Sequence, residues 1–258
     1  MNVPLRSPGH SLLSVIIAIL ILCACQHTVF AACDDPPAKG VLWVGCDKQN
    51  IRLENADLRG AILTRSNLNG ADLRGARLDG AELNFVQLRN SRLDDAKLNN
   101  TRMTGVRLDG SQLNRVTLDG ARLDRANLDD TSLIGAQIRR ASFYQTSLAR
   151  ANLKGCNLSG SNLNQANLTG ANLEQCKLDN ATLVNATLEN VNLRHASLIE
   201  ANLEQADLVN ANLSHSDLTR ARLVDAVIED IIFDGTKLDE AQWLDHHRCQ
   251  ANSIDQCR

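Results

Sequence analysis

Aromatic side chains are scarce in this 258-residue chain, which has two Trp, one Tyr and four Phe, 3% in all. A core of any size must therefore be built from aliphatic groups, and of nearly uniform bulk. Acidic residues are missing altogether before Asp34. A dominant charge is missing too: the formal net charge is −3, which by itself marks neither a nucleic-acid binder nor an acidic mimic. The chain contains no G-x-S-x-G, no H-E-x-x-H and no glycine loop of the kind that cradles phosphate. The motifs of serine hydrolases, zinc peptidases and P-loop nucleotide enzymes are thus absent.

What is present falls into two compositions. Residues 1–31 carry Arg6 and His10 in a short polar head, followed by a nearly unbroken apolar run from Ser11 to Ala24. That layout predicts a secretory signal, and about 14 apolar residues are too few for the roughly 20 that span a bilayer. Two processing sites compete. Val29-Phe30-Ala31 suits cleavage before Ala32, whereas Leu22-Cys23-Ala24-Cys25 resembles a lipobox that would leave a lipidated Cys25. Either choice leaves Cys33, Cys46, Cys156, Cys176, Cys249 and Cys257, an even set that favours disulfides in an oxidising compartment.

From Leu53 to Leu238 a large apolar residue returns every fifth position. Of these 38 positions 33 are Leu, the others being Met103, Ile138, Phe143, Ile228 and Phe233. Two residues before each stands a small or modest uncharged residue, Ala in 21 of the 38 units. A period of five fits neither a helix nor a strand, since on a helix the Leu would drift by about 140° per unit. A fixed short period with one inward pair per unit predicts a solenoid. Each unit hides its Leu and Ala only when copies stack above and below it, at the strand spacing of about 4.8 Å.

Units such as Ala71-Asp72-Leu73-Arg74-Gly75 and Ala171-Asn172-Leu173-Glu174-Gln175 resemble the A(D/N)LXX pattern of the pentapeptide-repeat family. The resemblance covers residues 51–240 and implies an all-β fold, a right-handed quadrilateral parallel β-helix with four units per coil. Cys156 and Cys176 lie twenty residues apart, as do His195 and His215, which suits like residues stacking one coil apart. About nine and a half coils would form a rod roughly 45 Å long. Leu53, Leu73, Met103, Phe143, Leu163 and Phe233 are expected in its core. The organisation expected is a signal at 1–31, an N-terminal cap at 32–50, the β-helix at 51–240 and a C-terminal cap at 241–258. Trp243 falls on the central register and is expected to close the core.

Cysteines then sort by place. Cys33 with Cys46 is expected to tie the N-terminal cap, and Cys249 with Cys257 the tail. Cys156 and Cys176 share an inward position, where a bridge and a stack of free thiols are equally compatible with the spacing. His195 with His215, and His246-His247 with the tail cysteines, are the metal-like groupings, but neither has an obvious full ligand set. No catalytic residue, metal or cofactor is expected. Residues 85–154 hold twelve Lys or Arg against seven acids, net +5, and residues 155–240 hold five against thirteen, net −8.

The expectation is a non-enzymatic scaffold in the bacterial envelope, lipid-anchored if Cys25 is modified, that engages a protein or an envelope polymer rather than nucleic acid. Outward Val184, Ile199, Val209, Val224, Val227 and Ile232 would lie under the tail or make a homodimer surface near the C-terminal end. Family members that mimic DNA, bind gyrase and confer fluoroquinolone resistance supply the alternative. Those need acidic faces along the rod and a cytoplasmic address, which the basic middle and the export signal here oppose.

Overall fold

The computed structural model describes residues 33–258. Its framework is a ladder of single parallel bridges between residues twenty apart, running from Leu42↔Ile62 through Asn152↔Asn172 to Arg222↔Gln242. Four bridges fall within each twenty residues, so every coil has four short sides of one unit each.

The five positions of a unit divide the work. In Ile51–Asn55 the bridging residue is Arg52, the inward residue Leu53, and Glu54 and Asn55 turn the corner. Leu53 N–H donates to Asp72 O at 2.7 Å and Asn55 N–H to Arg74 O at 2.8 Å, both in the next coil. Ala56 N–H closes the corner on Leu53 O at 3.0 Å. The last corner residue has a positive φ, 58° at Asn55, as a type II turn requires at its third position. Glycine suits that conformation, yet Arg, Gln, His and even Phe85 occupy it elsewhere. Coil-to-coil hydrogen bonds on both sides over-determine the corner and carry the cost.

One backbone N–H per unit, that of the first corner residue, has no backbone partner in this scheme, and buried or half-buried donors must be paired. The Asp or Asn before the Leu answers the need. Asn162 Oδ1 accepts Asn164 N–H at 3.0 Å, and Asn172 Oδ1 accepts Glu174 N–H at 3.1 Å. Where Gln, Ser, Thr or Arg takes that place, an Asx one coil back substitutes: Asp119 Oδ1 accepts Arg139 N–H at 2.8 Å, and Asn164 Oδ1 accepts Val184 N–H at 2.9 Å. The D/N of the repeat is thus a backbone acceptor first and a surface residue second.

Inside, Leu53, Leu73, Met103, Phe143 and Leu163 are buried, as are the small residues beside them. Polar small residues bond inward carbonyls; Thr101 Oγ1 donates to Leu98 O at 2.7 Å and Ser161 Oγ to Ile138 O at 2.6 Å. The interior is filled at every coil from Trp43 to Leu223.

Two features depart from the sequence reading. The ladder begins at Leu42 rather than at residue 51, and Trp43, wholly buried, holds the central position of that early side. Residues 41–50 belong to the helix because their backbone pairs with the next coil, although Lys48 takes a central place and breaks the apolar pattern. Phe233 is only half-buried, against its expected place in the core, because no further coil covers it. The tail instead folds back antiparallel, with Gln242↔Arg248 and Lys237↔Ile254 bridges, and seals the side at Leu238. Trp243 is likewise half-buried, at 5.8 Å from the Phe233 ring centre.

Candidate functional site

Three disulfides use all six cysteines of the described residues. Cys33 bonds Cys46, Cys156 bonds Cys176 and Cys249 bonds Cys257. The middle pair takes the bridged alternative, linking consecutive coils from inside with Cα atoms 4.7 Å apart. The signal region and Cys25 lie outside the described residues.

On the faces, charge is organised by the stacking. Arg115 pairs with Asp95 at 2.6 Å, Arg139 with Asp119 at 2.6 Å, Arg150 with Asp130 at 2.7 Å and Lys154 with Glu174 at 2.9 Å, each from one coil to its neighbour. The Arg115 and Arg150 guanidiniums, by hydrogen bonding, hold the Asp95 and Asp130 carboxyls below their usual range. Asp119 is pushed up by burial and pulled further down by Arg139, for a net lowering. Within single sides, Arg59 binds Asp57 and draws it down to about 2. Arg74, 2.5 Å from Asp72, lowers that carboxyl too by hydrogen bonding, and reaches Glu54 of the neighbouring coil less closely at 3.5 Å. These are exposed pairs, screened by solvent, and add little to stability.

The Asn column forms a partial amide ladder: Asn172 Nδ2 donates to Asn152 Oδ1 at 3.3 Å and Asn192 Nδ2 to Asn172 Oδ1 at 3.0 Å. Asn212 serves Ser214 instead. His195 and His215 stack with ring centres 5.1 Å apart, and Asp234 lies 3.9 Å from His215. Among the described residues no three His, Cys, Asp or Glu side chains converge as a metal site.

Shallow dents mark the corners where glycine removes a side chain. One of about 380 Å³ lies at Gly75 among Glu54, Arg74 and Asp94; two more, of about 360 and 230 Å³, open at Gly120, the first between Asn100 and Arg140 and the second toward Arg102 and Arg122. The two at Gly120 lie in the basic stretch. The expected cover over the outward aliphatics does not form: Val224 is buried, but Val227 and Ile232 stay 44% and 48% exposed, because the tail crosses the end of the helix rather than its side. In the tail, where the sequence grouped His246-His247 with Cys249 and Cys257, His247 touches the Cys257 sulfur and also Asp245, which sequence reasoning missed.

Comparison with known proteins agrees with the ladder. Family models for the pentapeptide repeat region match residues 106–183 and 126–203, and those for pentapeptide repeats in eight copies match 49–80, 81–120, 186–225 and 196–235. No curated protein matches the chain. Among solved structures, HetL, a pentapeptide repeat protein involved in heterocyst differentiation regulation in the cyanobacterium Nostoc, is 28% identical over 78% of this chain and 92% of its own, with a TM-score of 0.33. A pentapeptide repeat protein of the Arabidopsis thaliana thylakoid lumen is 31% identical over 35% of this chain and 63% of its own, at a TM-score of 0.34. A plasmid-mediated fluoroquinolone resistance protein is 19% identical over 80% and 88%, at 0.40. With its repeats matched by family models from residue 49 to residue 235 and each side built on the same five-residue plan, this chain belongs to the pentapeptide repeat family.

Proposed function

We propose that the protein is a non-enzymatic interaction scaffold, a right-handed rod of about ten coils exported to the bacterial envelope, which engages a partner protein or envelope polymer through its flat faces. The observation that carries this reading is the filled interior: Leu and its small neighbours close the coils from Trp43 to Leu223, so recognition is left to the outer faces. Those faces offer a basic middle followed by an acidic C-terminal part, which favours a partner of matching charge. Export is supported by the three disulfides, which account for every cysteine left by cleavage before Ala32. Exposed Val227 and Ile232 give a homodimer a small apolar contact near the C-terminal end.

Cell fractionation with N-terminal sequencing tests the address, and a pull-down from the envelope fraction tests the role. The expected mature start is Ala32, or a lipidated Cys25. An intact Met1 on cytoplasmic protein would overturn export and favour the gyrase-binding alternative, which the net +5 of residues 85–154 otherwise opposes.

A further inference from the structure

We propose that the Cys249–Cys257 bond is an exchangeable disulfide that oxidises the cysteine pair of a client polypeptide, with His247 and Asp245 serving its outer sulfur. The two nitrogens of the His247 ring are both engaged: Nδ1 meets Asp245 Oδ1, and Nε2 lies 3.0 Å from Cys257 Sγ. A sulfur, an imidazole and an orienting carboxylate in series is the arrangement that activates thiol chemistry. The Asp245 carboxyl is held below its usual range by its hydrogen bond from His247, so it stays an acceptor for the ring.

The last coil fixes this turn in place. Trp243 N–H donates to His247 O at 2.8 Å, His246 N–H to Trp243 O at 3.1 Å and Cys249 N–H to Ala241 O at 2.8 Å. Burial also gives the two sulfurs different access: Cys249 is 2% exposed, whereas Cys257 is half-buried at the surface. Among the described residues, no imidazole or cation hydrogen-bonds the sulfurs of the other two disulfides.

The chemistry closes as follows. A client thiolate attacks Cys257 Sγ; the client–Cys257 bond forms, the Cys249–Cys257 bond breaks, and its electron pair leaves on Cys249 Sγ, which takes a proton. The client's second thiolate then attacks the client sulfur of that mixed disulfide. The client disulfide forms, and the electron pair passes to Cys257 Sγ as a thiolate beside the His247 ring, which takes the proton given up by the client's second thiol. The client dithiol is oxidised by two electrons and the Cys249–Cys257 pair is reduced by two. A thiolate held by a cation is the better leaving group, and stabilising the reduced form makes a disulfide more oxidising. The other ionisable groups of this turn and tail are His246, Arg248, Asp255 and Arg258, none of which forms a salt bridge among the described residues; on the coil packed against them, Asp239 accepts Asn252 N–H and Lys237 pairs with Asp217.

Glutathione supplies the probe. The full chain is equilibrated across ratios of reduced to oxidised glutathione, quenched, alkylated and read disulfide by disulfide by mass spectrometry. Cys249–Cys257 should open at a ratio at least tenfold lower than Cys33–Cys46 does. His247→Ala should shift its equilibrium back toward the disulfide by about tenfold, or about 30 mV for a two-electron couple. In the reduced protein, alkylation of Cys257 should titrate below the ordinary thiol value of about 8.5, and return toward it in His247→Ala and, in part, in Asp245→Asn. Hydrogen exchange of the central coils, unchanged in both variants, would show that each still folds. A Cys249–Cys257 bond as resistant as Cys33–Cys46, or a Cys257 titration at the ordinary value and indifferent to both variants, would overturn the proposal.

Discussion

The two ends of the helix are built from the same parts and finished differently. Each has one Trp on the central register and one disulfide close by. At the N-terminal end Trp43 is wholly buried, its Nε1–H donates to Asp35 O at 3.1 Å, and Lys48 lies 4.9 Å from its ring centre. The Cys33–Cys46 bond anchors that loop to a residue within the ladder. At the C-terminal end Trp243, Phe233, Ile228 and Ile231 are only half-buried, and the Cys249–Cys257 bond closes a loop within the tail itself. A lid tied to the wall shuts one end; a lid tied only to itself leaves the other partly open. Closure therefore depends on where the disulfide is anchored more than on having a Trp to place.

The largest expected effect sets the scale for that contrast. Leu163→Asp places an unpaired charge in a dry aliphatic core and should abolish folding, because the cost runs to many kcal/mol. Asn162→Asp, its neighbour, keeps the acceptor for Asn164 N–H and should leave the melting temperature nearly unchanged. Circular dichroism melts of both variants check this, and similar losses from the two would contradict the register.

The Trp pair tests the ends directly. Trp43→Ala should cost about 3–5 kcal/mol, the range for emptying a fully buried aromatic site. Trp243→Ala should cost clearly less, about 1–2 kcal/mol, since the half-buried ring has less area to lose. Equal losses in denaturant titration would mean that the C-terminal end is as closed as the other.

Cys249→Ser with Cys257→Ser removes a small ring worth about 2–3 kcal/mol in the chain-entropy account. Solenoid stability is a sum over neighbouring coils, so the loss should stay local. Hydrogen exchange should rise after Leu223 and stay unchanged near Leu163, and size-exclusion chromatography should show association through the uncovered end. Unchanged protection after Leu223 would show that the tail does not act as a lid.

Acid should produce the smallest effect, spread over the paired carboxylates from Asp57 to Asp217 and including those of the basic middle. Asp95, Asp119 and Asp130 have folded pKa values below their ordinary ones, so their contribution is complete above the ordinary carboxylate range and is lost as pH falls through the folded values. Stability should therefore be flat near neutrality and decline below about pH 4. Arg150→Gln should reduce that decline slightly, because it releases Asp130.

Most of this fold was legible because the repeat reports directly on stacking. Leu163 is inward for the reason every fifth residue is, and the twenty-residue spacing of Cys156 and Cys176 already suited four sides per coil. What escaped had no period. Trp43 sits in the ladder through its backbone, while Lys48 hides the pattern that would have revealed it. The Asx acceptor role was written in the repeat as D/N, but only the count of backbone donors gives it meaning. Phe233 matched the core pattern and still lies half open, because burial in a solenoid comes from the next coil and a sequence period does not announce its last one. The Asp245–His247–Cys257 contact depends on a tail reversal that no spacing encodes.

The Cys156–Cys176 bond has a mechanical consequence. Drawn from its two termini, a stacked coil of this kind would pay out one side after another, with little to hold any coil once its neighbour has gone. The covalent link takes twenty residues out of that sequence. About 70 Å of extended chain stays locked at mid-length while the bond is intact and is released when it is reduced. Under tension, the rod carries a length reserve set by the redox state of its surroundings.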